Sequence, residues 1–354
     1  MQSPNIQEYL STVYDMELIH GIGLDSSYTI EVKFQMEEIK GLVCIYHGNC
    51  LDGFAAAWVV RQAFCIDKDQ VLCVDKDIPL FGTYVDVLFH AADYNDPPPS
   101  VSGKDVIIVD FSYKPEVMQQ IIEEAKDVLW IDHHASAIDA MRDIEHPKLR
   151  KYLSNDNTQS GAGLAWEFFF DKKSPFFIDA VEDRDLWKFR LPDTEAITSY
   201  LASHEYDFEV YDKLYRLTKQ EAEAREAEYE KIILEGNAAH RSHLKSIKEI
   251  IRANEHEILI GGSFVPAVNV PHLMASDAGA QLAALNPEAL FTATYYNKGN
   301  KYVVSLRSST HGADVASIAQ HYGGGGHKRA AGFSTNGITT RAKRFLPEVE
   351  HGKD

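Results

Sequence analysis

The sequence predicts an α/β protein of two domains: a parallel sheet covered by helices on both faces, a linker helix, and a smaller α/β unit. Three observations predict it. From residue 41 onward, short and continuously apolar runs alternate with helical stretches, the pattern of strands buried on both faces. A highly charged helical segment, residues 218–252, then breaks that alternation. Strand-like runs return beyond it, with two further helical stretches among them. A length of 354 residues agrees with two domains at roughly 100–200 residues each.

Residues 1–38 are acidic and polar without a motif, and are read as an extension. The first domain is assigned to 39–217. In it, LVCIY (42–46) is expected as a buried strand and GFAAAWVVRQAF (53–64) as the helix after it. VLCV (71–74) is expected as a second strand, DVIIVDF (105–111) as a third, and VLWIDHH (128–134) as a fourth. A helix through PEVMQQIIEEAK (115–126) separates the last two, and DYNDPPPSVSG (93–103) is a Pro-rich surface loop. The linker helix at 218–252 is interrupted only by Gly236. The second domain, 253–345, holds strand-like EILIGG, FVPAVNV, LFTATYYN and YVVSLRSS with helices at ASDAGAQLAAL and DVASIAQHY.

Bulk composition is that of a globular protein, 45% hydrophobic and 25% charged, with a formal net charge of −18. Such acidity opposes loose binding to long nucleic acid, so a phosphate-bearing partner needs local positive charge from metals, Arg, Lys or helix N-termini. The four cysteines, Cys44, Cys50, Cys65 and Cys73, form no CxxC pair and are read as reduced thiols, which points to the cytoplasm. The N-terminus MQSPNIQEYL lacks a basic segment followed by an apolar run, and no stretch approaches the roughly 20 apolar residues of a membrane span. No membrane partner is expected, and a homodimer is the assembly considered.

In parallel sheets ligands gather at the carboxyl ends of the strands. His47, Asp75, Asp110 and Asp132 each fall just past an apolar run. The most informative string is Asp132-His133-His134 after VLWI: successive residues at a strand end face different sides, so one imidazole can hold a metal while the other faces a substrate. Carboxylate and imidazole together suit manganese, iron or zinc. His47 and Asp52 sit at the first strand-to-helix turn, and Asp183 and Asp185 lie in AVEDRDLW. Cys50, between two of these residues, is read as a buried small thiol over the alternative of a thiolate ligand, and Trp58, Trp166 and Trp187 as core aromatics. Arg184 and Arg190 divide evenly between surface charges and substrate contacts. Glycines 323–326 before His327 can let backbone N–H groups converge on an anion.

The Asp132-His133-His134 string and the later GGGGH–AAG string together resemble the DHH/DHHA1 family of phosphoesterases, in that family's order and spacing, over roughly residues 41–335. The resemblance implies a parallel-sheet catalytic domain, a linker helix and a smaller domain that closes over substrate. It assigns one divalent cation to His47, Asp52 and Asp110, and a second to Asp110 as bridge with His133 and Asp183. His134 then faces the scissile phosphate, and Asp132 orients the histidines. In the second domain Arg307, Ser308, Gly324, Gly325, Gly326 and His327 become substrate-binding. Phe54 stands where the common motif carries a second carboxylate, and the spacing from His47 is one residue longer. Water, Asp75 or Asp185 are the replacements for the missing ligand, and Asp183 is favoured over Asp185.

The implied activity is hydrolysis of short single-stranded oligonucleotides or linear dinucleotides such as pGpG to nucleoside monophosphates, with two cations, manganese foremost. The residue types by themselves support metal-assisted phosphoester hydrolysis. Two other readings remain: a small phosphate or pyrophosphate hydrolase, and a non-catalytic nucleotide-binding regulator with a degenerate metal site.

Overall fold

A computed structural model describes residues 41–64, 87–94, 96–156 and 158–342. The extension at 1–38, the expected strand at 71–74, Asp75, Cys65 and Cys73 lie outside the described residues. Two compact units divide the chain between Gly236 and Asn237.

The first unit is built on a five-stranded sheet: β1 (Leu42–His47), β2 (Val87–Ala92), β3 (Asp105–Val109), β4 (Asp127–Asp132) and β5 (Leu149–Leu153). Its order is β2-β1-β3-β4-β5 and every pairing is parallel. Helices α1 (Leu51–Phe64), α2 (Pro115–Glu124), α3 (Ala135–Ala140), α4 (Gly161–Phe169), α5 (Phe176–Asp185), α6 (Thr194–Ala202) and α7 (Phe208–Leu217) connect and cover it. Strand side chains alternate between the two faces. Cys44, Ile107, Val109 and Ile131 pack into one core with α1, α4 and α5, while Val43, Ile45, Ile108 and Trp130 pack into another with Met118, Ile121 and Ile122 of α2. Burial on both faces is why these strands read as unbroken apolar runs.

Helix α8 (Ala222–Asn254) is 33 residues long, and the division between units falls inside it. The second unit contains β6 (His256–Ile260), β7 (Ser263–Asn269), a 3-10 turn (His272–Met274), α9 (Ala275–Leu285), β8 (Thr292–Lys298), β9 (Lys301–Arg307), α10 (Val315–His321), β10 (Gly325–His327), β11 (Ala330–Thr335) and β12 (Thr340–Ala342). Its sheet runs β10-β11-β9-β8-β7-β6-β12, antiparallel apart from the β7–β8 pair. Val315 and Ala319 of α10 enter one core, with Ile258 and Leu306, and Ala278 and Leu282 of α9 enter another, with Val268 and Ile251. No helix among the described residues is long and apolar enough to cross a membrane.

Gly236 does not interrupt α8; it lets the helix approach a neighbour. A Cβ built there would stand 1.9 Å from the Ala196 carbonyl oxygen of α6. In an exposed helix, replacing Gly by Ala stabilises by about 1 kcal/mol. Here the sign reverses: Gly236→Ala is expected to destabilise by about 1–3 kcal/mol, the usual cost of overpacking, read as a lower urea midpoint.

Candidate metal centre

The sheet register assembles the site. Tyr46 pairs with Val109 and Val109 with Ile131, so the next residues, His47, Asp110 and Asp132, come side by side at the carboxyl edge of three adjacent strands. Asp110 takes a left-handed backbone conformation (φ 54), which Asp tolerates better than most residues, and its N–H donates to the Ile131 carbonyl at 2.9 Å. That turn aims a carboxylate only 1% exposed into the cluster. Asp110 Oδ1 is 3.2 Å from His133 Nε2 and 3.7 Å from His134 Nδ1. Its Oδ2 is 3.6 Å from His47 Nδ1 and 3.8 Å from Cys50 Sγ.

Glycine makes this approach sterically feasible at two positions. A Cβ on Gly161 would lie 2.5 Å from the Asp110 Cβ, and one on Gly53 would lie 2.3 Å from the His47 carbonyl oxygen. Asp52, in the first turn of α1, accepts from Ser160 Oγ (2.6 Å), Gly161 N (2.7 Å) and Ala162 N (3.2 Å). It therefore satisfies amides at the N-terminus of α4, where a carboxylate also meets the favourable end of the helix dipole. Asp52 Oδ2 reaches to 3.9 Å from His133 Nε2, and Asp185 Oδ2, from the last residue of α5, to 3.5 Å.

Three carboxylates thus face one imidazole nitrogen. Burial, together with repulsion from Asp110 and Asp185, raises the Asp52 carboxyl well above the usual range, and desolvation with repulsion from Asp110 raises that of Asp185 against the pull of His133, His134 and His47. Burial also opposes ionisation of Asp110, yet His133, His47 and His134 outweigh it and hold that carboxyl well below its ordinary value. Burial depresses His133, but Asp110, Asp185 and Asp52 overcome it and push the imidazole up to about 11. Asp132 is the organiser beside them: its Oδ1 accepts the backbone N–H of His133 (2.8 Å) and of His134 (3.2 Å), and lies 2.7 Å from His134 Nδ1.

The donor chemistry fits divalent cations. Among the described residues, three groups have ligand atoms within 4.8 Å of one another: His47, Cys50 and Asp110; Asp110, His133 and His134; Asp52, His133 and Asp185. Ligands about 2.1 Å from one cation stand about 3–3.5 Å apart, close to the spacing around Asp110. His47 Nδ1 and Asp110 Oδ1 are buried and make no hydrogen bond, a costly state that a cation relieves. Asp110 joins two of the groups and His133 joins two.

Of the residues expected from sequence, His47, Asp52, Asp110, Asp132, His133 and His134 come together here. Asp183 does not: it accepts from Arg190 N (2.9 Å), Leu191 N (3.1 Å) and Thr194 Oγ1, and so holds the loop after α5. Asp185 stands at the cluster instead. Phe54 points away into an aromatic group, 4.8 Å from the Phe208 ring and 5.1 Å from Tyr211. Trp58 and Trp166 are core residues as read, but Trp187 is 45% exposed, with a left-handed backbone (φ 55). Sequence reasoning passed over Ser160-Gly161-Ala162, whose small residues before an apolar helix were the available signal.

In the second unit Arg307 ends β9 with its Nη2 donating to Ser276 Oγ (2.9 Å), its stem crossing Gly279, where a Cβ would meet the Arg307 Cγ at 2.9 Å. Ser308 N donates to the Arg329 carbonyl at 3.1 Å. The glycine run is a helix stop followed by a strand. Gly323 (φ 76) and Gly324 donate their amides to Gln320 and Ala319 at 2.9 Å, ending α10. Gly325, Gly326 and His327 pair with Gly332, Ala331 and Ala330. A Cβ on Gly324 would stand 2.0 Å from the Gly332 carbonyl oxygen. Close strand approach thus accounts for glycine here, and the Gly324 amide is committed to Ala319 rather than presented to an anion.

Fold and centre define a two-unit α/β protein with an Asp/His metal-type cluster at the carboxyl edge of a parallel sheet. More particularly, residues 277–351 match the family model of the DHHA1 domain, which places that domain in the second unit. Uncharacterized protein R106 of Acanthamoeba polyphaga mimivirus is 29% identical over 317 residues, covering 84% of this chain and 68% of the viral one. Among solved structures, the pGpG-specific phosphodiesterase PggH from Vibrio cholerae is 14% identical at a TM-score of 0.42, covering 84% of this chain and 93% of its own. An exopolyphosphatase-related protein from Bacteroides fragilis is 12% identical at a TM-score of 0.41, covering 84% and 87%.

The contrast between the two aspartates is testable. Asp183→Ala is expected to cost about 1–3 kcal/mol of stability, because the buried Thr194 hydroxyl and the part-buried Arg190 and Leu191 amides lose their acceptor, while bound cation is retained. Asp185→Ala is expected to lower cation content, by elemental analysis of dialysed protein, with a small effect on stability. Equal cation loss in both variants would refute the distinction.

Proposed function

We propose that the protein is a metal-dependent phosphodiesterase that hydrolyses short single-stranded oligonucleotides or linear dinucleotides, pGpG among them, to nucleoside monophosphates. The observation that carries this reading is the Asp110 carboxylate, flanked on one side by His47 and on the other by His133 and His134. Two divalent cations, with manganese expected, would be held by His47, Asp52, Asp110, His133 and Asp185. Bound there, they supply charge neutralisation at phosphorus and activation of water.

The chain's own residues do the rest. Asp132 fixes the His134 ring through Nδ1, which leaves Nε2 to carry a proton toward the leaving oxygen. Asp132 also holds the backbone of both histidines, so the donor atoms need little reorganisation as charge develops. Asp52, locked by the α4 amides, keeps its carboxylate from swinging away. Substrate binding is assigned to Arg307, Ser308, Gly325, Gly326 and His327 of the DHHA1 domain, with Gly324 giving the close strand approach that shapes them. Arg is suited to a phosphate by its planar fork. The net charge of −18 favours a short substrate over a long polymer.

Incubation with manganese and labelled pGpG, followed by separation of mononucleotides, tests the reading. Asp110→Ala is expected to abolish turnover. His134→Ala is expected to keep most of its bound manganese and to lose on the order of 10²–10⁴ in rate, the contribution of a general acid–base group. Substantial manganese-dependent turnover by Asp110→Ala would sink the shared-carboxylate reading, and loss of both cations from His134→Ala would make that residue a ligand.

Recognition is tested separately. Arg307→Ala is expected to bind manganese normally and to weaken dinucleotide binding by about 1.5–3 kcal/mol, the range for a hydrogen bond to a charged group. Unchanged affinity by calorimetry would remove Arg307 from substrate binding.

A further inference from the structure

We propose that Cys50 is a metal ligand: its thiolate stands in for a carboxylate at the turn after β1 and makes one of the two cation sites a mixed nitrogen, sulfur and oxygen site. The inference rests on the metal-dependent reading above and concerns which metal that site selects.

The backbone delivers Cys50 to the cluster by a local device. After His47 the chain turns through Gly48 and Asn49, and Asn49 adopts a left-handed conformation (φ 55), which Asn accepts more readily than most residues. Cys50 follows directly, and its carbonyl accepts the Phe54 N–H at 3.0 Å as α1 begins. The side chain is thereby directed at Asp110, with Sγ 3.8 Å from Oδ2. His47 Nδ1, the third donor, is buried and makes no hydrogen bond. Sulfur, nitrogen and oxygen all lie within 4.8 Å of one another, as ligands converging on one cation would.

Helix geometry also excludes the other occupant of that position. Cys50 and Phe54 lie two residues to either side of Asp52, and two residues along a helix turn a side chain about 200° away. Phe54, inside α1, is therefore turned into the aromatic group with Tyr206, Phe208 and Tyr211 and cannot contribute a donor. Cys50, ahead of the helix, keeps its side chain on the cluster side.

The chemistry follows from ligand softness. A cation that binds Cys50 displaces the thiol proton to solvent and takes up the thiolate. Thiolate favours zinc, iron(II) or cobalt over manganese, whereas the group of Asp52, His133 and Asp185 retains two carboxylates and suits the harder ion. The two cations are then chemically unlike, one site soft and one hard.

The test reads metal binding, not turnover. Metal-free protein is titrated with cobalt(II), the near-ultraviolet thiolate-to-cobalt charge-transfer band is recorded, and bound cobalt is counted by elemental analysis. Wild type is expected to show the band; Cys50→Ser is expected to lose it. Cys50→Asp is expected to lose the band, retain the cobalt count and bind manganese more tightly than wild type. Cobalt bound to wild type without a thiolate band, or a band that survives in Cys50→Ser, would overturn the assignment while leaving the hydrolase reading intact. A Cys50-dependent band in a protein that fails to cleave pGpG would uphold the ligand and remove the activity. Wild type that binds no cobalt would overturn both.

Discussion

The carboxyl edges of three parallel strands end at the same level, and the centre depends on that constraint. Pairing of Tyr46 with Val109, and of Val109 with Ile131, leaves His47, Asp110 and Asp132 adjacent without any loop having to reach across. A register slip of one residue would flip every side chain to the opposite face of the sheet and dissolve the cluster. Both faces of these strands are buried, so the apolar cores on either side fix the register, and the polar centre is positioned by hydrophobic packing beneath it.

Concentrating Asp52, Asp110 and Asp185 in one place is unfavourable by itself. Desolvation and mutual repulsion both oppose it, as the raised carboxyls of Asp52 and Asp185 show. Compensation is local. Asp52 is satisfied by three donors at the start of α4, and Asp110 is neutralised by the imidazoles around it. The helix carrying Asp52 is pinned at its far end by Asp212 of α7, which accepts from Trp58 Nε1 (2.8 Å), Arg61 Nη1 (2.7 Å) and Gln62 Nε2 (2.9 Å). Both ends of α1 are thus tied by buried carboxylates, one structural and one at the centre.

Strands β1, β3 and β4 were legible in the sequence because double burial removes the polar residues that blur a strand. The half-exposed edge strands, VLFHAA of β2 and LRKYL of β5, carry no such run and went unread. Asp110 and the Asp-His-His string could be placed because they directly follow legible strands. Asp183 and Asp185 could not be separated by position alone. Both are acidic and both fall at the end of α5, and two helical residues put them on opposite sides of the helix axis. One side meets the loop amides and the other meets His133, and only the packing of α5 on the sheet decides which. The same angular step separates Asp52 from Phe54. The glycine run, read as an anion loop, illustrates a different limit: glycine is demanded by close strand approach as readily as by ligand approach, and residue type does not distinguish the two.

Trp187 follows Asp185 by two residues and is 45% exposed, while Trp58, Trp130 and Trp166 are sealed in the core. The indole that solvent reaches is therefore the one two residues along the chain from Asp185. Its emission is the part of the tryptophan signal open to an aqueous quencher such as iodide, and the three buried rings supply a constant background. The molecule carries an intrinsic optical probe within one helical turn of Asp185, which can report on the state of that loop without a label or a substituted residue.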